Sequence, residues 1–425
     1  MINTDPITEL PPARFNPFTA LGPGLITGAA DDDPSGIATY SQAGAQFGYQ
    51  MLWTVVLTYP FMAVFQLICA EIARVSGRGL ARNMALSFPR PLVIGIVALL
   101  LFANILNIAA DLAVMGEVSG LITGMSSHGF TIGFALVSLL LQVFVPYHRY
   151  VGILKYLTLA LFAYVGVVLL SHVPWSVALH DTVWPNFKFD SASATMIVAI
   201  FGTTISPYLF FWQASQEVEE IGHGHKRALI HDAPAARSEM RRMKIDTWGG
   251  MGFSNLISFS IIVATAATLH ASGQTINSAA DAALALRPVA GDFAFALFAS
   301  GIIGTGMLAV PVLAGSGAYA LSEAMGWRSG LELAPRRARN FYMVIAAAII
   351  AAVILDFSSI NPVTALFWSA VVNGVVAVPV MIVIMLLARR RSVMGSFTLG
   401  RWHGRFGWAA TGLMAAASAT MLALL

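Results

Sequence analysis

The sequence predicts an all-α polytopic membrane protein of about eleven transmembrane helices. Ten form two inverted five-helix repeats, each opening on a broken helix, and one helix is appended. Three observations predict it. The 425 residues are 57% hydrophobic and only 11% charged, with mean hydropathy +0.74, against about 25% charge in ordinary soluble domains. Apolar stretches of about twenty residues, each enough to cross roughly 30 Å of hydrocarbon as a helix, recur at approximately 20–46, 50–74, 92–122, 128–147, 150–172, 193–220, 247–271, 292–325, 340–357, 362–388 and 405–425. Two of them, the first and the sixth, are interrupted by a polar run ending in proline: Ala30-Asp31-Asp32-Asp33-Pro34-Ser35-Gly36 and Thr203-Thr204-Ile205-Ser206-Pro207-Tyr208.

Residues 1–17 read as a polar cytoplasmic tail. They contain Pro6, Pro11 and Pro12 and lack the basic start and apolar core of a secretory signal. Lys and Arg placement orients the rest, because short cytoplasmic loops retain these residues. With the N-terminus inside, Arg14, Arg74, Arg78, Arg82, Arg90, Arg149, Lys155, Lys226 to Lys244, Arg328 to Arg339 and Arg389 to Arg405 fall inside, and only Lys188 and Arg287 outside. The C-terminus is then external and the membrane the plasma (inner) membrane. The sequence pI of about 9.1 follows from positive charge spread over separate loops beside a lipid bilayer, with no nucleic acid required. Cys69, the single cysteine, lies in an apolar helix and reads as a core residue; there is no disulfide framework and no cysteine metal motif. The chain divides into the first repeat over 18–172, an external linker over 173–192, and the second repeat over 193–388. The second repeat contains a charged cytoplasmic loop at 222–246, and 389–425 carries a loop and the eleventh helix.

Five spans precede the sixth, so the two breaks occupy equivalent places in the two halves. An odd number of spans per half inverts the second copy. Inverted five-helix repeats with discontinuous first and sixth helices describe the LeuT-type architecture shared by many secondary transporters. A proline removes a backbone donor, so in a bilayer the freed carbonyls must face protein, water or ligand. Paired breaks are the sequence pointer to a transporter's binding site.

Asp31, Asp32 and Asp33 lie where each charge costs several kcal/mol unless hydrated, paired or ligating, so the break reads as an oxygen-lined cation site or as a hydrated hinge. Asp33, directly before Pro34, is the first candidate ligand, Asp32 the second, and Asp31 a pathway residue. Thr203, Thr204, Ser206 and the carbonyls near Pro207 offer neutral oxygen, which suits hard cations such as Mg2+. Gln213, Gln216, Glu217 and Glu220 form a stripe toward the inner surface, an exit path or simply a helix end emerging into solvent. Asn104, Asn107 and Asp111 share one face of the third helix, which should look inward. Asp111 or Glu117 is a candidate proton relay or interhelical partner. Glu71, Arg74 and Arg78 read as an interfacial ion-pair cluster. Asn255 and Asn373 are cavity-lining or helix-bridging candidates.

At these residues the chain resembles the Nramp family of divalent metal transporters, whose first helix carries Asp-Pro-Gly-Asn and whose sixth carries Met-Pro-His. Asp33-Pro34-Ser35-Gly36 and Ser206-Pro207-Tyr208 stand in that register, with Gly22-Pro23-Gly24, Gly77-Arg78-Gly79-Leu80-Ala81 and Asp111-Leu112-Ala113 in matching order. The resemblance implies that Asp33 takes the place of the metal-binding aspartate, Gly36 that of the asparagine, Ser206 that of the methionine sulfur ligand, and Thr203 that of a coordinating carbonyl. Losing an amide and a thioether enlarges the site and weakens preference for Mn2+ or Fe2+, a pattern similar to the Nramp-related magnesium transporters. Tyr208 replaces the family histidine and Val114 a glutamate, so weak or absent proton coupling is expected.

The expectation is thus a divalent-cation transporter working by alternating access as a single chain, the cation being substrate and no cofactor needed. Three alternatives stand beside it: a proton-coupled Mn2+/Fe2+ importer, an organic-solute symporter, and a metal-binding membrane sensor without flux. An enzyme is not expected, since no nucleophile–base set or phosphate-binding motif stands out.

Overall fold

The computed structural model describes residues 23–145, 158–223, 227–358 and 360–425. The N-terminal tail, Arg149 and Lys155 lie outside the described residues.

Both breaks form where expected. The first span is α1 (Pro23–Asp31) and α2 (Pro34–Phe47), separated at Asp32–Asp33. Asp33 is the N-cap of α2: its backbone is extended (φ −71°, ψ 169°), its carboxylate accepts the Gly36 N–H, and Pro34 follows at a position where a missing N–H costs nothing. The sixth span is α9 (Ser191–Thr204) and α10 (Pro207–His223), separated at Ile205–Ser206. Asp190 opens α9 in a reciprocal capping box with Ser193, and those hydrogen bonds hold its exposed carboxyl below the usual carboxylate range.

The other long helices are α3 (Leu52–Ser76), α5 (Arg90–Thr123), α6 (Ser127–Phe144), α11 (Ala236–Thr265), α12 (Ala294–Met325), α13 (Arg339–Asp356), α14 (Pro362–Ala388) and α15 (Arg401–Leu424). Shorter ones are α4 (Leu80–Ser87), α7 (Phe162–Leu170) and α8 (Trp175–Val183). Among the described residues nine helices are long and apolar enough to span, or ten if α7 and α8, bent by 114°, form one span; the expected eleven is not reached. One reason is that Pro34–Ser76 is a single apolar run of 43 residues, about 65 Å as a straight helix and twice the hydrocarbon thickness. Gly48, at φ 59°, breaks it into α2 and α3. The other reason is that part of the fifth span lies outside the described residues.

Two stretches expected to be linker or loop are partly helical. α8 occupies the external linker, and α11 begins at Ala236, well before the expected 247, so much of the charged loop is a helical extension. Arg74 is 2% exposed and pairs with Glu239 of that extension at 3.4 Å, not with Glu71. A buried guanidinium requires a carboxylate brought to it, and α11 supplies one from across the fold.

The helices pack in two groups. One comprises α1, α2, α3, α10 and α11, the other α5, α6, α12 and α13, while α10 also packs on α12, α14 touches both and α15 packs on α14, α9 and α3. Small residues allow the broken helices to dock closely. A Cβ on Gly28 would lie 2.2 Å from the Gly250 carbonyl oxygen, fixing α1 against α11, and one on Gly202 would lie 2.0 Å from the Ala370 oxygen, fixing α9 against α14.

Candidate metal site

The two breaks meet, Thr203 Oγ1 lying 3.1 Å from the point where a Gly36 Cβ would stand. Asp31, Asp32, Asp33, Thr203 and Ser206 are each 3% exposed or less. Asp33 Oδ1 accepts the Gly36 N–H at 2.7 Å, and Oδ2 accepts Asn107 Nδ2 of α5 at 2.9 Å. The Tyr208 hydroxyl donates to the Ala30 carbonyl at 3.1 Å and lies 3.4 Å from Asp33 Oδ2. Asn107 Oδ1 in turn accepts the Ser369 hydroxyl of α14 at 2.7 Å, and Ser35 reaches Leu366 O at 3.0 Å.

Gly36 contributes by what it lacks. The point where its Cβ would stand is 3.1 Å from Thr203 Oγ1 and 3.4 Å from both the Asp31 carbonyl oxygen and Asp33 Oδ1. Three oxygens from both breaks therefore surround the space of one missing side chain. Ser206 is already engaged: its hydroxyl donates to the carbonyls of Gly202 at 2.9 Å and Thr203 at 2.7 Å. Thr204 donates to Ile200 O and meets the Tyr40 hydroxyl.

Asp31 and Asp32 face the other way, toward α11. Ser254 Oγ lies 2.6 Å from Asp31 Oδ2 and 3.2 Å from Asp32 Oδ1, with Ser258 3.5 Å from the latter. Asp31 Oδ1, Asp32 Oδ2 and both oxygens of Asp111 are buried with no hydrogen-bond partner. Among the described residues no Lys or Arg pairs with any of these acids. Ionised, such buried carboxylates cost several kcal/mol each without a counter-charge, so the cluster is stable either protonated or with a cation bound. Among the described residues no three His, Cys, Asp or Glu side chains are grouped to hold a metal. A cation placed here would have Asp33 together with hydroxyl, amide and carbonyl oxygen within reach.

The remaining pathway candidates separate. Gln213 accepts from Thr27 of α1 at 2.5 Å, linking α10 to α1, and its Nε2 and that of Gln216 are buried without partner. Glu117 accepts the Ala279 N–H at 3.2 Å, tethering α5 to a short helix at Ala279–Ala283. Asn255 and Asn373 each keep a buried, unpartnered Oδ1. At the far end of α10, Glu217 (0% exposed) pairs with Arg242 of α11 at 2.6 Å, and Arg242 also reaches Glu220 at 3.3 Å and Glu239 at 3.2 Å. Asp246 Oδ2 accepts the Gly24 N–H at the start of α1, at 2.7 Å.

Ser254, Ser258, Ser369 and Met115 escape sequence reasoning. Serine in an apolar helix reads as packing, and only the i, i+4 spacing of Ser254 and Ser258 carried a signal. Met115 packs beside Pro34 and Gly306: its Sδ is 2.4 Å, and Pro34 Cγ 3.3 Å, from the point where a Gly306 Cβ would lie.

Fold and site together define a polytopic membrane protein of the LeuT type with a carboxylate-bearing break in its first helix. The chain belongs to the Nramp family: the model for natural resistance-associated macrophage protein-like chains matches residues 24–424. The divalent metal cation transporter MntH of Acidiphilium cryptum is 26% identical over 394 residues, covering 90% of this chain and 85% of the relative. That of Deinococcus radiodurans is 27% identical over 406 residues, covering 93% and 87%. In fold, the chain is similar to the Eremococcus coleocola manganese transporter solved with an aromatic bis-isothiourea compound (TM-score 0.73, 17% identity, 96% and 88% covered). It is also similar to Mhp1, a nucleobase-cation-symport-1 family transporter (TM-score 0.55, 14% identity, 95% and 92% covered).

Proposed function

We propose that this chain transports divalent metal cations by alternating access, favouring Mg2+ and accepting Mn2+, with little or no proton coupling. Metal transport is the property named for its relatives. The hard-cation preference rests on one observation: the space at Gly36 is bounded by Asp33 Oδ1, the Asp31 carbonyl and Thr203 Oγ1, all oxygen. Mg2+ sheds water reluctantly and prefers such oxygen ligands. Asp33 supplies the charge, Asn107 and the Gly36 N–H orient it, and Asp31 and Asp32 draw cations toward the break.

The assignment of domains, an internal N-terminus, an external C-terminus and action as a single chain in the plasma membrane belong to the same proposal, supported by the Lys/Arg asymmetry and by a site built within one polypeptide. The second reading, a proton-coupled Mn2+ or Fe2+ importer, is favoured by the Met115 thioether beside Pro34, since softer metals gain from sulfur.

Flux into proteoliposomes, followed with Mg2+- and Mn2+-sensitive dyes and an internal pH dye, tests the proposal. Expected are Mg2+ and Mn2+ uptake without acidification, both lost in Asp33→Ala. Mn2+ uptake with acidification and no Mg2+ uptake would establish the second reading, and cation binding without flux would overturn both.

A further inference from the structure

We propose that the cleft between the end of α14 and the start of α15 binds the phosphate of an anionic phospholipid headgroup. The cleft has a volume of about 430 Å³ and is lined by Arg389, Gly400, Arg401, Gly404, Arg405 and Trp408, besides Leu399. Its local origin is a tight return of the chain. The short helix Arg391–Met394 buries Val393 and Met394, and the Leu399 N–H donates to the Ala388 carbonyl at 3.3 Å, so Arg401 opens α15 beside the last turn of α14.

Three guanidinium groups thus share one cleft, and among the described residues none of them is in a salt bridge. Arg390 is engaged elsewhere, 4.4 Å over the Phe88 ring, and Arg405 leans on Trp402 at 5.7 Å. Clustered like charges repel unless an anion joins them. The start of α15 adds further donors. α15 is capped by Gly400 with no side-chain cap, so its first-turn N–H groups are free to meet an anion. A Cβ on Gly400 would meet nothing within 4 Å and one on Gly404 only Leu399 at 3.8 Å, so the floor of the cleft is open.

Position selects the source of the phosphate. The cleft lies where the spans Pro362–Ala388 and Arg401–Leu424 end, which is headgroup depth on either face of the membrane. Trp402, 71% exposed, and Phe406, 42% exposed, flank it, as aromatic side chains do at the interface beside acyl chains. Guanidinium forks match phosphate oxygens bidentately. Inorganic phosphate shares the headgroup chemistry but has no use for the aromatic rim. Bound lipid would fasten the appended α15 to α14.

The test is native mass spectrometry of the full chain in detergent, titrated with phosphatidylglycerol, phosphatidylcholine or inorganic phosphate. Phosphatidylglycerol is expected to bind selectively and, at about 1 kcal/mol per arginine, on the order of 100-fold more weakly to R389Q/R401Q/R405Q. R389K/R401K/R405K should stay within about tenfold of wild type, and the control R328Q/R336Q/R337Q should bind as wild type. If the glutamine triple variant does not fold, R401Q alone carries the test, with affinity several-fold lower expected. Unchanged affinity in the glutamine variants, equal binding of phosphatidylcholine, or displacement of phosphatidylglycerol by equimolar inorganic phosphate would each overturn the proposal.

Discussion

Arg242→Gln should open the end of the fold where α10 meets α11, the inner end in the proposed orientation. Glu217 is 0% exposed and pairs with Arg242 at 2.6 Å, while Arg242 is 21% exposed and shared with Glu220 and Glu239. Removing one member of a buried pair costs about 3–5 kcal/mol because the other charge stays desolvated, and partial exposure here argues for the lower end. The pair is also incompletely satisfied, since Glu217 Oε1 and Arg242 Nη1 are buried without partners. If the ends of α10 and α11 part in the inward-open state, Glu217 becomes hydrated there and the penalty falls on the closed state alone. About 3 kcal/mol is then roughly a hundredfold shift of the equilibrium toward opening. A Gln216→Cys reporter on a Cys69→Ala background, labelled in liposomes by an impermeant thiol reagent, reads that shift as a faster reaction. Arg242→Lys should fall between. An unchanged labelling rate combined with a lower unfolding midpoint would refute the reasoning, because the pair would then stabilise both states equally.

Two further substitutions probe the site. Asn107→Leu removes the amide that contacts Asp33 Oδ2 at 2.9 Å and whose oxygen can turn to a bound cation, and the loss of that contact in the bound state, about 1.5–3 kcal/mol, should raise the half-saturating cation concentration by at least about tenfold; an unchanged value would remove Asn107 from the site. Gly36→Asn with Ser206→Met restores an amide and a thioether at the cost of a Cβ 3.1 Å from Thr203 Oγ1. The ratio of Mg2+ to Mn2+ flux in competition should fall by about tenfold or more, and a ratio that holds would show that selectivity lies elsewhere.

The breaks were legible because their causes are local. Asp33 caps α2 through its own Gly36 and Pro34 cannot donate, so three adjacent residues determine where the helix restarts. The inward face of the third helix was legible from spacing, yet spacing did not assign its members: Asn107 reaches Asp33, whereas Asn104 donates to Leu313 O at 2.8 Å and Ser316 at 2.9 Å. Partners far away in the chain leave no local trace, which is why Ser254 against Asp31, Glu239 against Arg74 and Asp246 against Gly24 emerge only from the fold. The helical extension of α11 was hidden for another reason. Its charged residues read as a solvated loop, whereas in the fold they are held by Arg242 and Arg74 ion pairs.

In the proposed mechanism the Asp33 contacts tie cation binding to rocking. Oδ1 is held within its own helix by Gly36, but Oδ2 is held by Asn107 from the other helix group. A cation taking Oδ2 competes with the Asn107 amide N–H, and the amide can stay in the site only by turning its oxygen toward the metal. That oxygen now accepts from Ser369 at 2.7 Å; on its loss Ser369 keeps a second acceptor, Leu366 O, at 2.7 Å. The exchange therefore leaves no buried hydroxyl unpartnered, and its cost stays below the roughly 1–3 kcal/mol of an orphaned group. In a continuous helix Asp33 would have no free cap geometry and its neighbours' carbonyls no free lone pairs. The break supplies both at the seam between the two groups, so in the proposed mechanism the carboxylate that would bind the cation is also the one that joins the two groups.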